Sequence, residues 1–147
     1  MPGIIVGVDG SDHSRLALRW AMREAEQRHV PLTVMTVRPV PPRPATQIFW
    51  PVPDLPESTF DPEPARMGIR EWVDTDAKET GETAPEVTVS VIRGDPAEEL
   101  VKASRDADLL VVGSRGTGAF AALLMGSVSS KVIHHAACPV VVVPGPR

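Results

Sequence analysis

Strand-like and helix-like stretches alternate along this chain. That alternation predicts an α/β fold: one doubly wound, Rossmann-like domain with a five-stranded parallel sheet and helices on both faces. Three observations carry the expectation. Five short apolar runs are rich in Val and Ile. At least three of them lack polar/apolar alternation, as strands covered on both faces do. Stretches of helical periodicity separate them, in the order β-α-β-α-β-α-β-α-β.

The first strand is IIVGVD (4–9), and a helix follows in SRLALRWAMREAEQRH (14–29). This stretch is full of good helix formers and sets Leu18, Ala21, Met22 and Ala25 on one stripe. LTVMTV (32–37) is the second strand. The next helix, 63–80, places Ile69, Trp72, Val73 and Ala77 at similar spacing. VTVSVI (87–92) alternates, which predicts an edge strand. DPAEELVKASRD opens with a start signal: Asp95 as cap, Pro96 at the first helical position and Glu98 completing a capping box. DLLVVG (108–113) is the fourth strand, a last helix spans about 126–136, and PVVVV (139–143) closes the sheet.

The whole chain, 1–147, reads as one domain with a proline-rich insertion at about 39–62. Between 39 and 64 lie nine of the sixteen prolines, and with them Phe49, Trp50 and Phe60. Proline blocks helix and central strand. A loop of this length inside a compact domain is functional or disordered. Two readings stand, a flap that packs on the body, a ligand or a second subunit, and a simple connection.

Bulk composition excludes several classes. Hydrophobic content of 42% and charged content of 23% are ordinary for a soluble domain. A net charge of −4 argues against a nucleic-acid binder, which needs a basic face. No apolar stretch reaches the roughly 18 residues of a membrane span. The N-terminus MPGIIVGVDGSD lacks the pattern of a signal peptide. A single cysteine, Cys138, permits no disulfide within the chain and suits the cytoplasm. It reads as a small buried hydrophobe.

In an open parallel sheet, ligands bind beyond the carboxyl ends of the strands, where strand order reverses. That point is expected between the first and fourth strands, whose ends carry Asp9-Gly10-Ser11 and Gly113-Ser114-Arg115-Gly116. The chemistry there fits phosphate. Gly113 and Gly116 permit a tight turn that exposes N–H groups. Gly126 and Ser127 open the last helix, whose free N–H groups and dipole favour an anion. Ser127 and Ser129 add hydroxyls, and Arg115 adds charge. Asp9 suits a ribose hydroxyl or a magnesium ion carried by the phosphates. The P-loop pattern and the dinucleotide G-x-G-x-x-G are both absent, which disfavours a P-loop NTPase and a dinucleotide cofactor.

These residues together resemble the universal stress protein family over nearly the whole chain. The likeness lies in IIVGVDGSDHSRLALRWA, in a second strand ending near Val37, in GDPAEEL, and in DLLVVGSRGTGAF…MGSVSSKVIHHAACPVVVV. Its most specific element is the ATP-binding signature of one branch, G-x2-G-x9-G-[ST], matched by Gly113, Gly116, Gly126 and Ser127. The resemblance implies a nucleotide bordered by Gly7, Val8 and Asp9, with Asp9 on the ribose side, and an adenine contact from the Val37 backbone. It implies a phosphate loop lined by Val112, Gly113, Arg115 and Gly116, and phosphates held by Gly126, Ser127, Val128 and Ser129. It also implies ATP with magnesium as cofactor and a homodimer through 139–143. No residue of this sequence is assigned a catalytic role.

The function expected is therefore an ATP-binding regulatory module of the stress response. The alternatives are an AMP or cyclic AMP binder, a slow ATP hydrolase or phosphotransferase, and a pure interaction protein. Other conspicuous residues take plain readings. His13 is expected as a solvated surface histidine. His134 and His135 lack partners at metal-ligand spacing. Trp20 and Trp72 are expected to pack helices on the sheet. The acidic stretch 71–86 is expected as a solvated helix face.

Overall fold

The computed structural model describes residues 3–39, 60–81, 86–114 and 126–145. Five parallel strands form one sheet: β1 (Ile4–Gly7), β2 (Leu32–Arg38), β3 (Val87–Arg93), β4 (Leu109–Gly113) and β5 (Val140–Val143). Their order is β3-β2-β1-β4-β5. Among the described residues four helices lie between them: α1 (Asp12–Arg28), α2 (Glu63–Thr80), α3 (Pro96–Ser104) and α4 (Ser127–His135). The doubly wound parallel sheet is the one the alternation predicts, and β3 takes the edge its alternating pattern called for. Among the described residues no helix is long and apolar enough to cross a membrane.

Because successive strand side chains point to opposite faces, the strands feed two cores. One core joins Ile4, Val6, Leu32, Val34, Leu109 and Val111 to Ala17, Leu18, Ala21, Met22 and Ala25 of α1 and to Ile69 and Val73 of α2. The other joins Met35, Leu110 and Val112 to Leu100 of α3 and Val132 of α4. Leu18, Leu32, Leu110 and Val6 are fully enclosed. Each such side chain contributes about 1.5–3 kcal/mol of transfer free energy. Trp20 and Trp72 pack half-buried against the first core, as expected.

The helix starts differ from the expectation in detail. α1 begins at Asp12, two residues before the predicted 14, because Ser11 caps it by accepting from Ser14 N at 3.2 Å. Asp95 caps α3 as predicted, accepting from Glu98 N at 3.0 Å. The Glu98 carboxylate faces Lys102 at 3.7 Å instead of returning to the cap, so the box is half formed.

One expectation for the acidic stretch fails. Asp76 is 1% exposed and not part of a solvated face. Its Oδ1 receives Arg15 Nη2 and Arg19 Nε, each at 3.1 Å, from α1. Arg15 also lies over the Trp72 ring, 5.4 Å from its centroid. A buried carboxylate persists when paired charges replace its hydration, and here they clamp α2 onto α1.

Candidate functional site

Strand order reverses between β1 and β4, which pair in register from Ile4↔Leu109 to Val6↔Val111. Their carboxyl ends therefore lie side by side. Gly7, Val8 and Asp9 continue from β1, and Val112, Gly113 and Ser114 from β4. Val8 N donates to Met35 O at 2.9 Å, which extends the β1–β2 pairing one residue past the strand. Val37 lies farther along β2 at the same end of the sheet, half-buried against the second core. Val8 and Val112 are buried.

Gly7 has a packing reason to be glycine. A Cβ there would stand 3.0 Å from Leu100 Cδ1 of α3. Gly10 has a conformational one, with φ +88°, and a Cβ there would meet nothing within 4 Å. The turn brings Ser11 back onto Asp9. Asp9 Oδ1 accepts from Ser11 N at 2.9 Å and from Ser11 Oγ at 2.5 Å. Asp9 itself is exposed.

On the other side of the switch point the chain leaves at Ser114 and returns at Gly126. Ser114 N donates to Val143 O, and Gly126 N donates to Ser114 O, both at 2.9 Å. Arg115 and Gly116, with the rest of 115–125, lie outside the described residues, as do Phe49, Trp50 and most of the proline-rich insertion. Phe60, at the insertion's end, is described: its ring lies 5.1 Å from the Arg93 guanidinium carbon.

α4 starts at Ser127 with Gly126 as its cap residue, no side-chain cap bond and no acidic residue in the first turn. A helix start leaves its first N–H groups without intrahelical acceptors, here those of Ser127, Val128 and Ser129. The other three described helices differ. Ser11 and Asp95 cap α1 and α3, Asp61 Oδ1 accepts from Glu63 N at 3.0 Å at the start of α2, and all three carry acid in the first turn. Ser127 is exposed. Ser129 is buried, and its hydroxyl turns inward to Gly126 O at 2.9 Å. From that residue the main-chain N–H, not the hydroxyl, is left for a ligand.

Three features escaped the sequence reading. Ser11 is one: the helical pattern predicts a start at residue 14, and a serine directly before the helical stretch is the signal for the earlier start. Ser114 is the second, as the acceptor that brings Gly126 home. The third is His13. It is half-buried, its Nδ1 is shut off from solvent without a hydrogen-bond partner, and a Cβ at Gly145 would stand 2.5 Å from that nitrogen. The expected solvated histidine is instead a packing contact for the C-terminal segment. Cys138 is half-buried. Burial pushes its thiol pKa up, with Asp108 adding to the rise against a backbone hydrogen bond at Leu110. Among the described residues no group of His, Cys, Asp and Glu is placed to hold a metal.

The fold and its switch point define a Rossmann-like α/β domain with a helix start open to an anion. The model of the universal stress protein family matches residues 2–144, and the chain belongs to that family. A universal stress protein of Mycolicibacterium smegmatis is 38% identical over 147 residues, covering 97% of this chain and 48% of that protein. The chain thus spans about half the length of the curated relatives it matches. Among solved structures, universal stress protein UspA from Lactobacillus plantarum superposes with a TM-score of 0.78 at 25% identity, covering 97% of both chains. A universal stress protein in complex with cAMP gives 0.66 at 28% identity, covering 97% of this chain and 95% of that one. The Archaeoglobus fulgidus universal stress protein in complex with dAMP gives 0.64 at 26%, covering 97% of both.

Proposed function

We propose that this chain binds an adenine nucleotide, ATP with magnesium, at the carboxyl ends of β1, β2 and β4, and that occupancy is its regulatory signal in the stress response. The observation that carries the reading is the start of α4. It stands just past β4, at the switch point, and it alone among the described helices begins without a side-chain acceptor or an acid in its first turn. N–H groups left open in this way, reinforced by the helix dipole, favour phosphate. Gly113, Arg115, Gly116, Gly126, Ser127, Val128 and Ser129 form the phosphate side in this reading. Gly7, Val8, Asp9, Val37 and Val112 form the nucleoside side, with Asp9 toward the ribose or the magnesium ion.

A second reading is an AMP or cyclic AMP binder, favoured by the cAMP and dAMP complexes of similar proteins. Hydrolysis at this site is at most slow. Phosphoryl transfer needs a positioned base and charge clamps, and Asp9, the described carboxylate on the nucleoside side, is assigned in this reading to the ribose or the magnesium ion. The segment 139–143 is the expected homodimer seam, a reading supported by the place of β5 at a sheet edge with all four of its valines half-buried. The cytoplasm is the expected compartment.

Calorimetry of ATP, AMP and cyclic AMP against nucleotide-free protein, with and without magnesium, tests the reading. Magnesium-dependent ATP binding upholds it. Preference for a monophosphate replaces it with the second reading. Binding of none of the three refutes both.

A further inference from the structure

We propose that Ser11 is a positioning residue for the nucleotide site, holding the Asp9 carboxylate in the orientation that takes a ribose hydroxyl. The inference rests on the nucleotide reading above and adds to it the residue that sets sugar recognition.

The Ser11 hydroxyl has one proton and donates it to Asp9 Oδ1 at 2.5 Å. The same oxygen accepts from Ser14 N at 3.2 Å, as the cap of α1. The hydroxyl is thus fixed from both sides, and the first turn of a 17-residue helix anchors it. Ser11 N donates to the same Asp9 oxygen at 2.9 Å. Both bonds converge on Oδ1, which leaves Oδ2 of an exposed carboxylate to accept from a ligand. Gly10 makes the geometry possible, because its φ of +88° folds residue 11 back onto residue 9. It also leaves room, because no atom lies within 4 Å of where its Cβ would stand.

A free aspartate on a strand end rotates about two side-chain bonds, and a ligand that uses it must stop that motion. Immobilising one such side chain before binding is worth about two- to tenfold in affinity. A hydrogen bond from a ribose hydroxyl to the charged carboxylate is worth about tenfold or more. Ser11 therefore acts on the sugar contact and leaves the phosphate side untouched.

The test is calorimetric titration of the full chain with ATP and with 2′,3′-dideoxy-ATP, which keeps base and phosphates and lacks both hydroxyls. The wild type is expected to favour ATP about tenfold. Ser11→Ala removes the hydroxyl. Ser11→Asp keeps a helix-capping acceptor but has no proton to give and sets a second carboxylate beside Asp9. Both variants are expected to lose about tenfold for ATP and little for the dideoxy analogue, so the ratio falls toward one. Ser11→Thr keeps the hydroxyl and is expected to keep the ratio. A merely structural role would lower both affinities together, and Ser11→Asp remains capped should Ser11→Ala melt. A ratio that survives in folded Ser11→Ala and Ser11→Asp overturns the inference, as does a wild type that binds both nucleotides equally. A wild type that binds neither overturns the nucleotide reading beneath it.

Discussion

The two faces of the sheet solve the same problem in opposite ways. On the α1/α2 face, two helices cover a large apolar core and are then clamped by charge, with Arg15 and Arg19 meeting on a single oxygen of buried Asp76. The helix that opens that face at the switch point is self-satisfied: Ser11 caps α1, and Asp12 sits in its first turn. On the α3/α4 face the core is smaller and apolar, built around Leu100, Leu110, Val112 and Val132. The helix that follows the switch point there is left open, with a glycine for a cap residue. The charged clamp lies on one face and the uncapped helix start on the other. The physical reason is that a capped, acid-bearing helix start has already used the N–H groups and the dipole that an anion needs.

The largest expected effect comes from closing the open helix start. Gly126→Asp would cap α4 with a carboxylate, at a residue whose φ of −60° suits any side chain. The variant is expected to keep its fold and to lose nucleotide affinity about a hundredfold or more, since it takes the N–H groups and repels phosphate. Calorimetry beside a thermal melt measures both. Undiminished affinity in a folded variant would break the contrast between the two faces.

Removing the clamp comes next. Asp76→Ala leaves two arginines without their shared acceptor. Both are partly exposed, at 29% and 41%, so the cost is expected below the full buried-pair range, at about 2–3 kcal/mol. Urea unfolding should register that loss while nucleotide affinity stays within about twofold. A stability change under about 0.5 kcal/mol would mean that the apolar core alone holds α2 in place.

A smaller effect is expected on the other face. Gly7→Ala drives a methyl against Leu100 Cδ1 at 3.0 Å, an overpacking cost of about 1–2 kcal/mol. Adding Leu100→Val should recover part of it. Failure to recover would mean that the cost does not come from the Leu100 contact.

The smallest effect is on Cys138. Burial raises its folded-state pKa, so the folded chain prefers the neutral thiol. That contribution is present below the ordinary thiol pKa and is lost as pH rises through the raised folded value. Stability is therefore expected to decline slightly on the alkaline side, and Cys138→Ser should flatten the decline. Alkylation near neutral pH is expected to be slower than for a free thiol.

Much of this was legible in the residue order. Short apolar runs placed all five strands, the alternation in VTVSVI placed β3 at an edge, and the order of elements placed the switch point between β1 and β4. Gly126 and Ser127 were readable as a helix start because glycine followed by hydroxyl residues and then a helical run has a local meaning. These features depend on neighbours in sequence, and propensity, periodicity and capping are neighbour effects.

What the order could not disclose depends on residues far apart along the chain. Asp76 looked like any acid on a solvated helix, and only packing set it against arginines 61 and 57 positions away. Gly7 carries a packing contact that its place in the sequence does not show, because α3 sets Leu100 beside it. His13 looked solvated until the segment after β5 returned to cover it, and the Ser129 hydroxyl looked available until Ser114 and Gly126 drew it inward. The sequence by itself determined which elements form and where their ends meet, because short-range sterics and hydrogen bonding decide those. The tertiary structure alone decided which charges are buried, which histidine nitrogen is shut off from solvent and which glycine faces a neighbouring helix, because burial is a property of what closes over a residue and not of the residue itself.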